Sequence, residues 1–245
     1  MKRFYTLPIL FLLVLVWACD RNDYFKDSGV HQAKFDGNMM EFFEARVQDS
    51  TSLFDTLITV IKLAGLEETI AKENITFFAP TDPSIGRSVK LLNDVLYNIG
   101  QDTIKELSEV DPRVWKKVLQ GYMVEGNLGL VDFPQLDTLD KKAYGGRLYQ
   151  TLDKDMVVNI GAVYHNLKNG DLTIPYAGPR QLLYSYIPDL SNPTLFWANA
   201  YVASSNHEPN NGRVHVLRYI DHIFGFEYNR FAELAIEYGI KYRDK

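Results

Sequence analysis

Ile75-Thr76-Phe77-Phe78-Ala79-Pro80-Thr81-Asp82-Pro83 decides how the rest of the chain is read. Its first five residues are apolar or β-favouring, the make-up of a buried strand. Pro80 ends that strand, because proline brings no N–H to a sheet. Thr81-Asp82-Pro83 then opens a helix, with Asp82 as N-cap and proline at the first helical position, where its missing N–H is not needed. That helix is predicted to run to about Tyr97. The same device at Asp111-Pro112 predicts another helix, with Trp115, Val118 and Leu119 on its inner face. Upstream, Leu53, Leu57, Val60, Ile61 and Ala64 recur at helical spacing and share one face. Gly65 stands where such a helix would end, and Glu67–Lys72 is predicted as a short helix after it.

Beyond Tyr122 the pattern changes. Arg147–Leu152, Met156–Tyr164, Asp171–Pro175, Leu182–Ile187, Phe196–Ser204 and Arg213–Leu217 read as strands. Between them lie Asp153-Lys154-Asp155, Asn169-Gly170, Pro188-Asp189 and Asn211-Gly212, all turn chemistry. Helices first and strands later imply an α+β fold. Phe231, Leu234, Ala235 and Tyr238 fall at helical spacing within Tyr228–Lys241 and predict a closing helix. No repeat or internal linker divides the chain, so residues 38–245 read as one domain.

Two of these segments, in this order, resemble the fasciclin-like domain. Ile75–Asp82 is similar to that family's first motif, a strand ending in Ala-Pro-Thr and then Asn or Asp. Asn211-Gly212-Arg213-Val214-His215-Val216-Leu217 is similar to its second, an Asn-Gly turn opening a strand with Val-His-Val. Gly121-Tyr122-Met123-Val124-Glu125-Gly126 falls where the family often has Tyr-His-Val-Val-Pro-Gly. The resemblance covers roughly residues 53–224. It implies a wedge of two β-sheets with a packed helical layer, to which the C-terminal helix is an addition. It also implies an extracellular module for adhesion or ligand binding, with no catalysis and no cofactor. Ala79, Pro80, Thr81, Asp82, Tyr122, Asn211, Gly212 and His215 are the family-motif positions, read as structural. The family's Tyr-His pair, tied to integrin adhesion in animal members, is Gly121-Tyr122 here, so integrin binding is not carried over. Anchored members occur on Gram-negative surfaces, sometimes beside glycan-uptake systems. Residues 166–195 are longer and more aromatic than is typical of the family.

The start of the chain points to the same compartment. Met1-Lys2-Arg3 is cationic, Phe4 to Trp17 is almost wholly apolar, and Ala18-Cys19 follows: the layout of a secretory signal. The apolar run falls short of the roughly 20 residues that span a bilayer. Val16-Trp17-Ala18-Cys19 resembles a bacterial lipobox. The expected organisation is a lipoprotein signal peptide over 1–18, acylated Cys19 opening a polar tether over 19–37, and then the domain. Cys19 is the only cysteine, and lipid attachment accounts for a lone cysteine in an exported chain. The expected location is the cell envelope, on the outer membrane, with either face open. A formal net charge of -5 and the absence of a basic stripe argue against nucleic acid as a partner.

Among candidate sites, His215 lies between Val214 and Val216 and points opposite to them. It is either functional or, more simply, a core histidine holding a loop. The five histidines, His31, His165, His207, His215 and His222, include no pair at a metal-ligand spacing. His207-Glu208 reads as a solvated pair in a polar loop. Asp20–Asp23 and Asp153–Asp155 are sparse for a calcium loop. No nucleophile elbow, P-loop or dinucleotide pattern is present, so an enzyme is not expected and a cryptic hydrolase is the remote alternative. Tyr164, Tyr176, Tyr184, Tyr186, Trp197 and Tyr201 form the candidate aromatic binding surface, for a protein or a glycan. A glycan-capture accessory to an outer-membrane importer is the closer alternative. Tyr184 and Tyr186 share a strand face, and whether that face meets solvent decides how much they add.

Overall fold

The computed structural model describes residues 33–47 and 52–242. The signal segment, Cys19 and residues 19–32 of the expected tether lie outside the described residues. The helical half consists of α1 (Met39–Val47), α2 (Asp55–Leu63), α3 (Glu67–Lys72), α4 (Asp82–Asn98) and α5 (Pro112–Gln120), with β1 (Ile75–Ala79) between α3 and α4. The strand half runs β2 (Met123–Glu125), β3 (Gln135–Leu136), β4 (Arg147–Gln150), β5 (Val157–Tyr164), β6 (Leu167–Asn169), β7 (Leu172–Ile174), β8 (Arg180–Tyr186), β9 (Ala198–His207) and β10 (Gly212–Leu217). Helix α6 (Arg230–Tyr238) closes the domain. The fold is α+β, as expected.

The strands join in the order β2-β1-β10-β9-β8-β5-β3, with β4 also on β5. The two expected sheets are therefore one curled sheet, and β9 is where it turns. Residues Ala198–Tyr201 of β9 pair with β8, whereas Val202, Ser204 and His207 pair with β10 across two register shifts. Bulges of this kind bend a strand and increase its twist. Leu57, Phe77, Leu92, Trp115, Tyr184 and Phe231 belong to one continuous core between the sheet and the helices. Helices α4 and α5 both pack against α6.

Helix α1 is not predicted from the sequence. Asn38 accepts from the Met40 and Glu41 amides at 2.9 and 3.0 Å, and the Glu41 carboxylate accepts from the Asn38 amide at 2.7 Å. Two orphan amide groups at a helix start are satisfied by this reciprocal cap, and Met39, Phe42 and Phe43 go into the core. The segment expected as tether overlaps the packed domain. The Phe35 amide donates to the Glu208 carbonyl at 2.9 Å, and the Phe35 ring meets Phe42 edge-on at 5.7 Å, so residues 34–37 already belong to the domain.

Asp82 differs from its expected role. It is the first residue of α4 rather than its cap; that position is Thr81. Its carboxylate instead accepts from the Leu57 amide at 3.0 Å, in the first turn of α2, where the N-cap residue Phe54 has no side-chain acceptor to offer. Leu53, expected on the buried helical face, precedes α2 and is 37% exposed; its carbonyl accepts from the Asp82 amide. Burial holds the Asp82 carboxyl above its usual range, opposed by the α2 amides that pull it down. Asp82→Ala is expected to cost about 1 kcal/mol, the usual value of a lost cap. Urea unfolding should register that loss, and no change would show that α2 does not depend on Asp82.

Candidate functional site

The family-motif positions converge on the core. Pro80 and Thr81 are buried at the end of β1, and the Thr81 hydroxyl finds no partner among the described residues while its carbonyl accepts from Ser84 Oγ at 2.7 Å. His215 is fully buried. Its Nδ1 accepts from the Asn206 amide at 3.2 Å and its Nε2 faces the Leu128 carbonyl at 2.9 Å, which sets the neutral tautomer with the proton on Nε2. Burial lowers its pKa to about 4. The ring stacks on Phe78 at 5.0 Å, and Phe78 in turn meets Tyr184 at 4.4 Å. His215 thus ties the 128 loop and the end of β9 to the β1–β10 pair.

Tyr122 is also fully buried. Its hydroxyl accepts from the Gly225 amide at 2.8 Å and lies 2.9 Å from His222 Nε2. With the amide already donating, the phenol proton points at His222. Burial lowers the His222 pKa to about 3, reinforced by the Arg87 guanidinium, which donates to the carbonyls of Tyr219 and His222. The partner of Tyr122 is thus a histidine 100 residues away in sequence. Both groups sit in the core, so the pair is structural.

The six candidate aromatics do not form one surface. Tyr184 is 0% exposed and donates to the Gly121 carbonyl at 2.6 Å. Tyr186 points to the same inner side, half-buried beneath Arg230, whose guanidinium lies 4.5 Å from the ring centroid. The face shared by Tyr184 and Tyr186 is thus the core face, and Tyr184 drops out of any binding surface. Tyr164 is half-buried under Arg180, and Tyr201 lies on the opposite side of the sheet beside Arg218. Tyr176 is exposed, and its hydroxyl donates to Asp137 at 2.9 Å. Trp197 lies in the 188–197 loop between β8 and β9.

That loop carries a residue that the sequence reading places in a strand and not in a site. Phe196 is 81% exposed and holds φ at +55°, so it cannot belong to β9. A bulky residue in the left-handed region costs on the order of 1–3 kcal/mol and persists only where its surroundings impose it. The surroundings here are firm. Asp189 accepts from the Ser191 amide and the Asn192 side chain, both at 2.8 Å. Trp197 Nε1 donates to the Pro193 carbonyl at 2.8 Å, and Lys141 donates to the Thr194 carbonyl at 2.8 Å with its ammonium 3.8 Å over the Trp197 ring. Leu190 and Leu195 are exposed alongside. The signal in the sequence was Pro193-Thr194-Leu195-Phe196-Trp197, three large apolar residues running out of a turn-rich segment.

Other candidates resolve into local contacts. Lys117 sits between Asp153 and Asp155 at 3.3 and 2.6 Å. His207, expected in solvent, is buried; its Nε2 lies 2.8 Å from Ser204 Oγ and its ring packs on Phe42 at 5.2 Å. Glu208 pairs with Arg213 at 2.9 Å. His165 is exposed on a shallow depression of about 270 Å³, where β9 splays away from β8, and Gln181 Nε2 bridges the split to the Val202 carbonyl at 2.8 Å. Among the described residues no three His, Cys, Asp or Glu side chains converge on one point.

No curated protein matches the chain by sequence. Among solved structures, the chain is similar to the FAS1 domain pair of the insect cell adhesion molecule Fasciclin I, at 14% identity and a TM-score of 0.36, over 78% of this chain and 46% of that one. The chain therefore spans less than half the length of that structure. A family model, the fasciclin domain, matches residues 52–220, well over half of the chain, and the chain belongs to the fasciclin-domain family.

Proposed function

We propose that this chain is a lipoprotein, tethered to the cell envelope through acylated Cys19, whose fasciclin domain holds a protein partner by surface contact. The family supports a binding or adhesion role, and one observation carries the choice of surface. Phe196 is held out to solvent in a strained backbone conformation by a loop braced from three directions. A rigid exposed aromatic flanked by aliphatic side chains is the make-up of an interface hot spot. Glycan capture is the second reading. Its support is the neighbouring Phe196 and Trp197 rings, although Lys141 already occupies one face of Trp197 and leaves less room for a sugar ring.

A photo-crosslinking residue at Phe196 in native cells is expected to capture one protein reproducibly. The same probe at Tyr97, 76% exposed on α4, should not. Equal capture at both positions would sink the choice of surface, and capture of glycan at Phe196 would promote the second reading. Phe196→Gly is expected to abolish the crosslinked partner's retention while raising stability by about 1 kcal/mol, because glycine accepts the positive φ.

A further inference from the structure

The sequence holds two Asn-Gly pairs, Asn169-Gly170 and Asn211-Gly212. Such a pair is reactive. The asparagine carboxamide carbon is an electrophile, and the next backbone nitrogen can close a five-membered ring on it. Glycine has no side chain to hinder that approach and lets the backbone adopt it. The fold treats the two pairs differently. At Asn211 both reacting groups are held. The carboxamide is engaged by the Met39 amide and by the Ile70 and Glu73 carbonyls, and the Gly212 amide donates to the Pro209 carbonyl at 3.3 Å. Ring closure there waits for the domain to open, which at the low end of domain stabilities is about one molecule in several thousand.

Asn169 stands at the tip of the β6–β7 ribbon. It pairs with Leu172 across the turn Gly170-Asp171, and Gly170 holds φ at +59°, the first central position of a hairpin turn that favours glycine. Among the described residues neither the Asn169 carboxamide nor the Gly170 amide has a hydrogen-bond partner. All six strand residues of the ribbon are exposed, and the space beside Gly170 is open, so water and base reach the pair. A two-stranded ribbon is marginal in water by itself, and exposed tips open far more readily than core strands. The backbone movement that ring closure needs is therefore within reach of the folded protein at this turn.

We propose that Asn169 is a site of spontaneous covalent modification, deamidation through a succinimide, while the fold protects Asn211. The Gly170 nitrogen bonds to Asn169 Cγ. The carboxamide C–N bond breaks, and its nitrogen leaves as ammonia with the proton that Gly170 gives up. Water then opens the ring. Attack at Cγ gives aspartate; attack at the residue 169 backbone carbonyl carbon gives isoaspartate, whose main chain runs through Cγ. Either product places a new carboxylate near Asp171. Isoaspartate also adds a methylene to the backbone, so the pair of residue 169 with Leu172 that closes the ribbon loses its register. None of the ribbon residues belongs to the core cluster, so the change stays local: one surface turn ages while the domain keeps its fold.

The test follows both asparagines in the full chain. One sample is kept native and another unfolded in guanidinium chloride, at physiological pH and temperature, and peptide mapping by mass spectrometry reads each site over time. The product is heavier by one mass unit, and chromatography separates its isoaspartate and aspartate forms. Asn169 is expected to react in the native sample within about tenfold of its unfolded rate, whereas folding slows Asn211 by about a hundredfold or more. Asn169→Gln, which needs a larger ring, is expected to show no mass gain at that position. Protein aged until Asn169 has turned over is expected to unfold at the same urea midpoint as fresh protein. An Asn169 slowed on folding as strongly as Asn211 would mean that the hairpin holds the two reacting groups apart, and overturns the site. Equal native rates at the two positions overturn the protection of Asn211. A urea midpoint that falls as Asn169 reacts overturns the local character of the change.

Discussion

Between pH 6.5 and pH 4 the protein is expected to lose on the order of 6 kcal/mol of folding stability, most of what a typical domain has. The source is His215 and His222, both buried as neutral rings, with pKa values of about 4 and about 3 in the folded state. Their folded values lie below the ordinary 6.5, so the unfolded chain binds protons first as the pH falls. The stabilisation is complete above about pH 6.5 and is lost as the pH drops toward the folded values. A tenfold difference in proton affinity between the two states is worth about 1.4 kcal/mol, so each histidine surrenders about 3 kcal/mol by pH 4. Asp82 acts in the opposite sense, since burial raises its pKa, but its own amide partners limit that offset. Urea titrations at pH 7, 6 and 5 should give a slope nearing 2.7 kcal/mol per pH unit for about two protons. His222→Gln keeps an acceptor for the Tyr122 phenol and cannot titrate, so its slope should fall by about half. A wild-type stability that stays level from pH 7 to pH 5 would mean that neither histidine is buried as described.

What the sequence shows and what it hides divide by distance along the chain. Strand β1 and helices α4 and α5 are legible because proline punctuates both of the helix starts. The cap of α1 is just as local, with Asn38 and Glu41 three residues apart and Met39, Phe42 and Phe43 on one face. Its signal was in the sequence. The partners of Asp82, Tyr122 and Asn211 were not, because each lies far along the chain from the residue it holds. Strand β8 illustrates a different limit. Leu182, Leu183, Tyr184 and Ser185 are all buried, so both sides of the strand are covered. A strand covered on both faces loses the alternation that would assign its sides, so only the structure places Tyr184 inside and Phe196 outside.

The Asn211-Gly212 pair reads in sequence as a turn, and its expected substitution effects are far larger than a turn residue would give. The Asn211 side chain accepts from the Met39 amide at 2.7 Å and donates to the Ile70 and Glu73 carbonyls at 2.8 and 2.9 Å. It thereby satisfies an orphan amide at the start of α1 and two orphan carbonyls at the end of α3, fastening both helices to the head of β10. Asn211→Ala leaves two partly buried backbone groups and one exposed carbonyl without this partner and is expected to cost about 3 kcal/mol. Asn211→Asp keeps the acceptor for Met39 but sets a carboxylate against two carbonyl oxygens, so it should be at least as damaging. Gly212 serves the same junction by having no side chain. A Cβ there would stand 2.0 Å from the Ile75 carbonyl oxygen, across the parallel β1–β10 pair. That oxygen belongs to a central strand and cannot swing aside, so Gly212→Ala must part the two motif strands, again for about 3 kcal/mol. The two effects share one joint, so the double variant should cost less than their sum. If Asn211→Ala lost under about 1 kcal/mol in urea unfolding, the residue would be a turn former after all and the helices would be held by packing alone.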